Sequence, residues 1–466
     1  MSLSSALSIA QSALLATSRR TSVVTQNVTN ADNADYTRRS AVLISDQSGI
    51  RVADIRRAAN DSLLRQYLNA NSDWEGQQTM FAGLDTLALA VNGEANGTSP
   101  ATGLGALQES LQLYAASPSS ASLADGVVNS ARQLVQTLNG GTSQIQSYRA
   151  ELDLEISRSV DDLNSLLAEF DAANTAVVKA TAIGEDATDA LDKRDAILKE
   201  ISQYIPVSTQ TRANNDMVVT TGDGVTLYET SPRNIAFEPT AFYSAGVEGN
   251  AVYIDGVPVT TGTGKLAAMV ELRDNVAVTM QTQLDEIARG LITAFDEAGT
   301  PGLFTWTPPP ATVGSLTPGL AGKIEINADF DPDAGGDPVK LRDGNSYDAN
   351  PDNHAAFTGL LVAYGDNLDA SMNFDPSTGV NTNSNLGEFA TNTISWVEAL
   401  RQTTSNSGLT SGALLSRVSE TLSNSTGVNV DDQMALMLEL EHSYEASARL
   451  ISTIDEMMAI LLEMAG

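Results

Sequence analysis

Two histidines, His354 and His442, and no cysteine at all limit the chemistry open to this 466-residue chain. Disulfides, thiolate nucleophiles and cysteine-held metals are excluded by that count. His442 lies beside Glu441 and Glu445, but no second histidine stands at ligand spacing, so a zinc site is not expected. His354 sits in a polar stretch without a serine or aspartate arrangement that would make it a catalytic base. DFDPDAGGDPVK, residues 329–340, starts like a calcium loop. Its sixth position is Ala334 instead of glycine and its twelfth is Lys340 instead of glutamate, so a solvated acidic loop is expected over a weak surface cation site. TGTGKL, residues 261–266, has the Gly-Lys of a phosphate loop. It lacks the glycine five residues before Gly264 and continues with Leu266 instead of Ser or Thr. Carboxylates are abundant, yet no acid/base pair can be singled out without a pocket. The residues predict no catalytic group, no cofactor and no metal.

The totals point the same way. Lys and Arg number 26 against 58 Asp and Glu, a net charge of −32, and such a surface repels nucleic-acid backbones. Hydrophobic residues make up 42% but aromatics only 5%, so the cores must be aliphatic, a mix that favours helices. The length implies two to four domains. No apolar run approaches the roughly 20 residues of a membrane span. The first positive charge is Arg19, with no basic region before an apolar one, so a cleavable signal peptide is not expected. The chain is then either cytoplasmic or exported by a route that leaves its start in place.

With no chemistry to position, the elements themselves carry the information. Leu3, Leu7, Ala10, Leu14, Thr17, Thr21, Val24 and Val28 alternate four and three apart along MSLSSALSIAQSALLATSRRTSVVTQNV. Met437, Leu440, Tyr444, Ser447, Ile451, Ile454, Met458 and Leu461 do the same near the other end. Both are narrow 3.5-period stripes, the pattern of a coiled-coil seam. Residues 1–70 hold eight arginines and five aspartates, a net of +3, and residues 431–466 hold eight acids and Arg449, a net of −7. The two terminal helices are expected to pair with each other and with copies of themselves. Asn429 is placed to cap the second, with Asp431 and Asp432 in its first turn. A pair of helices of about 30 residues is marginal alone, so the arms are expected to be mobile in the monomer and to order on assembly.

Between the stripes the pattern predicts two extended segments (from Tyr36, and 49–60), a helix to Val91, a loop at 92–105 and a long helix over about 122–177. Gly140 and Gly141 suggest a kink in that helix. A further helix at 191–205 stops at Pro206. Residues 206–263 alternate, are rich in Val and Thr, and turn at Gly222-Asp223-Gly224 and Asp255-Gly256, so they read as a small β insertion. Helix returns at 264–298, residues 299–385 are loop-rich with one or two strands near KIEINA, and helix resumes from Leu386. The expected fold is mainly α with a small β insertion. Residues 1–60 and 424–466 form a terminal coiled-coil domain. Residues 61–205 and 264–423 form an elongated helical-bundle shaft that includes the loop-rich 299–385, and 206–263 form an outer β domain.

SALSIAQSALLATSRRTSVVTQNVTNADNADYTRR, with Asn27, Asn30 and Tyr36, resembles the N-terminal signature of bacterial flagellar axial proteins. That family usually carries Thr-Pro-Gly before the tyrosine, where this chain has Asn33-Ala34-Asp35. TGVNVDDQMALMLELEHSYEASARLISTIDEMMAILLEM resembles the matching C-terminal signature, and LDKRDAILKEIS and GKLAAMVELRDN resemble segments of the hook-associated protein 1 family. The resemblance implies a non-enzymatic structural adaptor. It would leave the cell through the flagellar type III export channel without a cleaved signal and assemble as a ring on the distal hook. Its implied partners are copies of itself, the hook protein, a second junction protein of the hook-associated protein 3 type, and an export chaperone on the C-terminal helix. A hook or distal-rod component is the alternative. A secreted enzyme or adhesin acting through 206–263 is remote, because those residues hold no His, Cys or convincing site.

Overall fold

The computed structural model describes residues 3–46, 49–259, 262–307 and 313–465. Thr261 of TGTGKL and most of the proline-rich loop TPPPAT lie outside them. Helix α1 (Leu3–Thr29) leads into an antiparallel hairpin of β1 (Arg39–Asp46) and β2 (Gly49–Arg57), with Arg39 opposite Arg57. Helix α2 (Asp61–Asn92) starts at Asn60, whose side chain accepts from the Leu63 amide. Helix α3 (Pro100–Ala116) begins inside the stretch expected to be loop. Ser99 caps it through the Thr102 amide and Pro100 fills its first position, a start signal that the Gly/Ser/Asn-rich composition hid.

Helix α4 (Ala121–Ile183) runs 63 residues, about 95 Å at 1.5 Å per residue, and ends on Gly184 in the left-handed conformation (φ 73°). It passes through Gly140 and Gly141 as continuous helix, so the expected kink is absent. Gly141 serves proximity instead. It is buried, and a Cβ there would stand 3.0 Å from Leu284 Cδ1 on the helix packed against it. Helix α5 (Thr188–Tyr204) ends just before Pro206.

The insertion forms two small antiparallel sheets. One joins β3 (Val207–Thr211), β4 (Met217–Thr221) and β5 (Thr226–Tyr228); the other joins β6 (Ile235–Ala236), β7 (Tyr253–Ile254) and β8 (Val257–Pro258). Both lie along α4. Tyr228 packs edge-on to Phe170 with ring centroids 5.0 Å apart, and Asn164 exchanges two hydrogen bonds with the Ile235 backbone. Helix α6 (Lys265–Glu271) continues through one π turn, Leu272–Val276, into α7 (Ala277–Ala294). The π turn carries Arg273, 1% exposed, which binds Asp153 of α4 at 2.6 Å, Asp274 at 2.7 Å and the Asn250 carbonyl at 2.8 Å. Buried Arg149 stacks on Tyr243 and donates to the carbonyls of Arg273 and Val247. These two guanidiniums clamp the insertion to the shaft.

Strands β9 (Phe304–Trp306) and β10 (Ile324–Ile326) pair at the KIEINA segment. The acidic loop after it is held by Arg132, which pairs with Asp331 at 2.6 Å and Asp333 at 3.0 Å. A short helix α8 (Lys340–Asp343) follows, then α9 (Gly359–Asp369), which the loop-rich reading of 299–385 did not anticipate. It spans only 11 residues, but Leu360, Leu361, Tyr364 and Leu368 bury one face. A further strand pair, β11 (Met372–Asn373) and β12 (Asn383–Ser384), precedes α10 (Leu386–Thr426) and α11 (Val430–Ala465). Helices α2, α3, α4, α7 and α10 share an aliphatic core around Leu87, Leu107, Leu138, Leu291 and Leu386, each fully buried.

One close approach requires glycine. Gly264 has φ +96°, and a Cβ on it would lie 2.6 Å from the Tyr204 carbonyl oxygen; Gly76 of α2 faces it across the helix contact. Gly264→Ala is expected to lower stability by about 2 kcal/mol or more, from strain and displacement of the end of α5. Gly140→Ala, which meets open space in a helix interior, is expected to raise stability by up to about 1 kcal/mol. Urea unfolding midpoints check both; equal midpoints would contradict this reading of the glycines.

Candidate assembly interface

Helices α1 and α11 pack against each other. On α1 the buried positions Ala10, Thr17 and Val24 recur every seventh residue, and on α11 Gln433, Leu440, Ser447 and Ile454 do the same. The small α1 side chains let the two backbones approach closely. Helix α1 ends where α11 begins, so the pair is antiparallel. The Asn27 amide donates to the Gln433 side-chain oxygen at 2.8 Å and fixes the register.

Of the residues expected to form the seam, Ala10, Val24, Leu440 and Ile454 are buried. Leu3, Leu7, Leu14, Val28, Met437 and Ile451 are half-buried. Tyr444, Met458 and Leu461 stay exposed, at 47%, 37% and 51%. A single partner covers only one side of the α11 stripe. The overhang explains Met458 and Leu461: counted from the Asn27–Gln433 contact, Leu3 reaches about Met457, so α11 runs on past α1. Asn429 caps α11 as its position suggests, accepting from the Asp431 and Asp432 amides.

A buried polar knot joins this pair to the shaft. Asn27, fully buried, accepts from the Tyr36 hydroxyl at 2.8 Å and the Arg39 amide at 2.9 Å, and donates to the Arg39 carbonyl as well as to Gln433. The Arg39 guanidinium lies over the Tyr36 ring and reaches Asp189 at 2.5 Å and Asp192 at 3.2 Å on α5. Arg57, opposite Arg39 in the hairpin, binds Asp192 at 3.2 Å and Asp195 at 2.7 Å. Thr37 donates to Asp192, Lys199 holds Asp35, and the Arg38 amide donates to the Thr426 carbonyl at the end of α10. Asp35 thus tethers the turn that replaces Thr-Pro-Gly.

Burial pushes the Asp195 carboxyl up although Arg57 pairs with it, and burial pushes the Tyr36 hydroxyl up. For Arg39, burial lowers the pKa, but the hydrogen bonds to Asp189 and Asp192 outweigh it and the net shift is upward. The sequence singled out Asn27 and Tyr36 only as part of a signature and missed Arg39, Arg57, Asp192 and Asp195. The available signal was a carboxamide, Asn27, three places after Val24 on a face of small and aliphatic residues and threonines. Among the described residues no group of three His, Asp or Glu side chains could hold a metal, and no helix is long and apolar enough to cross a membrane.

Asn27→Ala leaves the Tyr36 hydroxyl, the Gln433 side-chain oxygen and the Arg39 amide without their partner in a buried site, a loss of about 3 kcal/mol. Hydrogen exchange at residues 36–40 and 433–440 is expected to speed by roughly a hundredfold, with residues 131–163 of α4 unchanged. Unaltered exchange around the knot would remove it from this role.

Comparison with known proteins agrees with these elements. Residues 87–305 match the family model described as the flagellar hook-associated protein FlgK helical domain, and residues 421–464 match that of the flagellar basal body rod FlgEFG protein C-terminal segment. Flagellar hook-associated protein 1 of Bacillus subtilis (strain 168) is 21% identical over 512 residues, with 97% of this chain and 96% of that protein covered. The protein of the same name from Salmonella typhimurium (strain LT2) is 22% identical over 321 residues, with 64% of this chain and 57% of that protein covered. The chain therefore spans little more than half the length of the Salmonella relative. A solved structure, the flagellar hook junction protein FlgK from Burkholderia pseudomallei, matches at 18% identity and a TM-score of 0.43, with 52% of this chain and 46% of that one covered. With a match to the FlgK helical domain at its centre and to an axial-protein segment at its end, the chain is similar to the flagellar hook-associated protein 1 family.

Proposed function

We propose that the chain is a structural adaptor of the bacterial flagellum that assembles as a ring at the distal end of the hook and joins hook to filament. The observation that carries this reading is the antiparallel α1–α11 pair, bound through the Asn27 knot to a rigid shaft. Its seam is half-covered in the single chain, and the exposed remainder of the α11 stripe is available to sister molecules. The seam for assembly comprises Leu3, Leu7, Ala10, Leu14, Val24, Val28, Met437, Leu440, Tyr444, Ile451, Ile454, Met458 and Leu461. The arms gain their full order only when neighbouring copies cover them.

The partners in this reading are the hook protein below, a second junction protein above, and, before export, a chaperone on α11. Export uses the flagellar type III channel without removal of a signal peptide, and the role is not enzymatic. A hook or distal-rod component is the second reading, favoured only by the C-terminal match, whose description names rod proteins. The match of 87–305 favours the junction.

Deleting the gene in its host tests the proposal. Intact hooks without filaments, restored by the wild-type chain, are expected; absence of hooks would favour a rod or hook component. Ile451→Asp places a charge in the half-buried seam, at an expected cost of about 2 kcal/mol or more to the helix packing. It should abolish filament attachment and swimming while leaving the melting of the shaft unchanged. Retained motility would contradict the role of the seam.

A further inference from the structure

Two carboxylates lie deep in the shaft, Asp153 on α4 and Asp285 on α7, each 1% exposed. Each grips one surface segment by its backbone. Asp153 accepts from the Thr240 amide at 2.6 Å and the Tyr243 hydroxyl at 2.8 Å, both in the loop between β6 and β7. Asp285 accepts from the Gly319 and Ala321 amides, both at 2.8 Å, at the short turn Leu320–Gly322. Arg273 pairs with Asp153 at 2.6 Å. Asp285 has no such counter-ion. Among the described residues no Lys or Arg forms an ion pair with it, and its further bond comes from the Gln281 side chain at 3.0 Å. Burying a carboxylate without a cation is unfavourable, so the amides it holds must offset that cost.

The two carboxylates are joined beneath the surface. Thr142, Gln146, Arg149 and Asp153 stand at i, i+4, i+7 and i+11, on one face of α4. Gln281 donates to Thr142 at 3.1 Å as well as to Asp285, and accepts from the Gln146 side-chain amide at 2.9 Å. Gln146 accepts from Arg149 at 3.2 Å, and Arg149 donates to the Arg273 carbonyl at 2.9 Å. The Arg273 guanidinium closes the chain on Asp153. Gln281, Arg149 and Arg273 are each at most 4% exposed. A polar chain thus runs through an aliphatic core from one held segment to the other. In such surroundings one broken link leaves its neighbours unpaired. The segments also meet outside: a Cβ on Gly319 would stand 3.2 Å from Ala245 Cβ, and one on Gly246 would stand 3.6 Å from Pro318 Cβ.

We propose that this chain is a conformational coupling built into the shaft: residues 240–250 and 319–322 open as one unit, and the coupling runs through Gln281 and Gln146 in addition to the surface contact. Whatever fixes one segment then fixes the other by the same factor. The coupling does not depend on assembly of the terminal helices.

Hydrogen exchange on the full chain tests the coupling at the held amides of Thr240, Gly319 and Ala321, with residues 197–201 of α5 as reference. Asp285→Asn keeps the shape of the side chain but leaves one acceptor oxygen in place of two. Gln146→Met breaks the chain at its middle, at a side chain that bonds to neither segment. In each variant all three amides are expected to exchange at least about tenfold faster, in step, with 197–201 unchanged. A rise confined to one segment in either variant, or absent from both, would overturn the coupling. So would an equal rise at 197–201, which marks loosening of the whole shaft. If one variant loses its melting transition, the other decides.

Discussion

A single carboxamide sets the geometry of this molecule. Asn27 satisfies a hydroxyl, a backbone amide, a backbone carbonyl and a second side-chain amide, all from segments that the chain brings together only in the folded state. Its neighbours extend the same logic. Arg39 and Arg57 sit opposite one another in the hairpin and share Asp192, so the hairpin cannot slide along α5 without breaking both ion pairs. In the low dielectric of a buried site such partners are costly to separate one at a time. The terminal helices thus leave the shaft from a defined point and in a defined register, although few apolar contacts hold them there.

The shaft is built on a different principle. Its stability lies in aliphatic burial along α4, and its precision lies in glycines and buried guanidiniums. Gly141 admits Leu284, Gly264 admits the backbone of α5's end, and Arg149 and Arg273 bind the Val247 and Asn250 carbonyls of the insertion. The β insertion is therefore a part of the shaft surface. Val219, Leu227 and Tyr228 belong to the same core as Phe170.

Much of the architecture could be read from residue order, and the reasons differ by element. The burial of Ala10, Val24, Leu440 and Ile454 was visible because a 3.5-residue period survives in a single strand of text. So were the stop at Pro206 and the cap at Asn429, which are local effects. Helix α9 was hidden because eleven residues carry too few turns to outweigh the Gly, Asp and Asn around them. Continuity through Gly140 was hidden because the cost of a helical glycine is small beside the packing of 63 residues. The knot was hidden for a stronger reason: residues 27, 39, 192 and 433 have no sequence proximity, and polar side chains carry no period. The family resemblance pointed at LDKRD without explaining it, and the structure supplies the explanation in Asp192, Arg194 and Asp195.

The unbroken course of α4 has a mechanical corollary. A helix of this length, braced on one side by α3 and α5 and on another by the clamped insertion, offers no soft joint where torsion could dissipate. Rotation imposed at the hairpin end would travel to the far end of the rod with little angular lag.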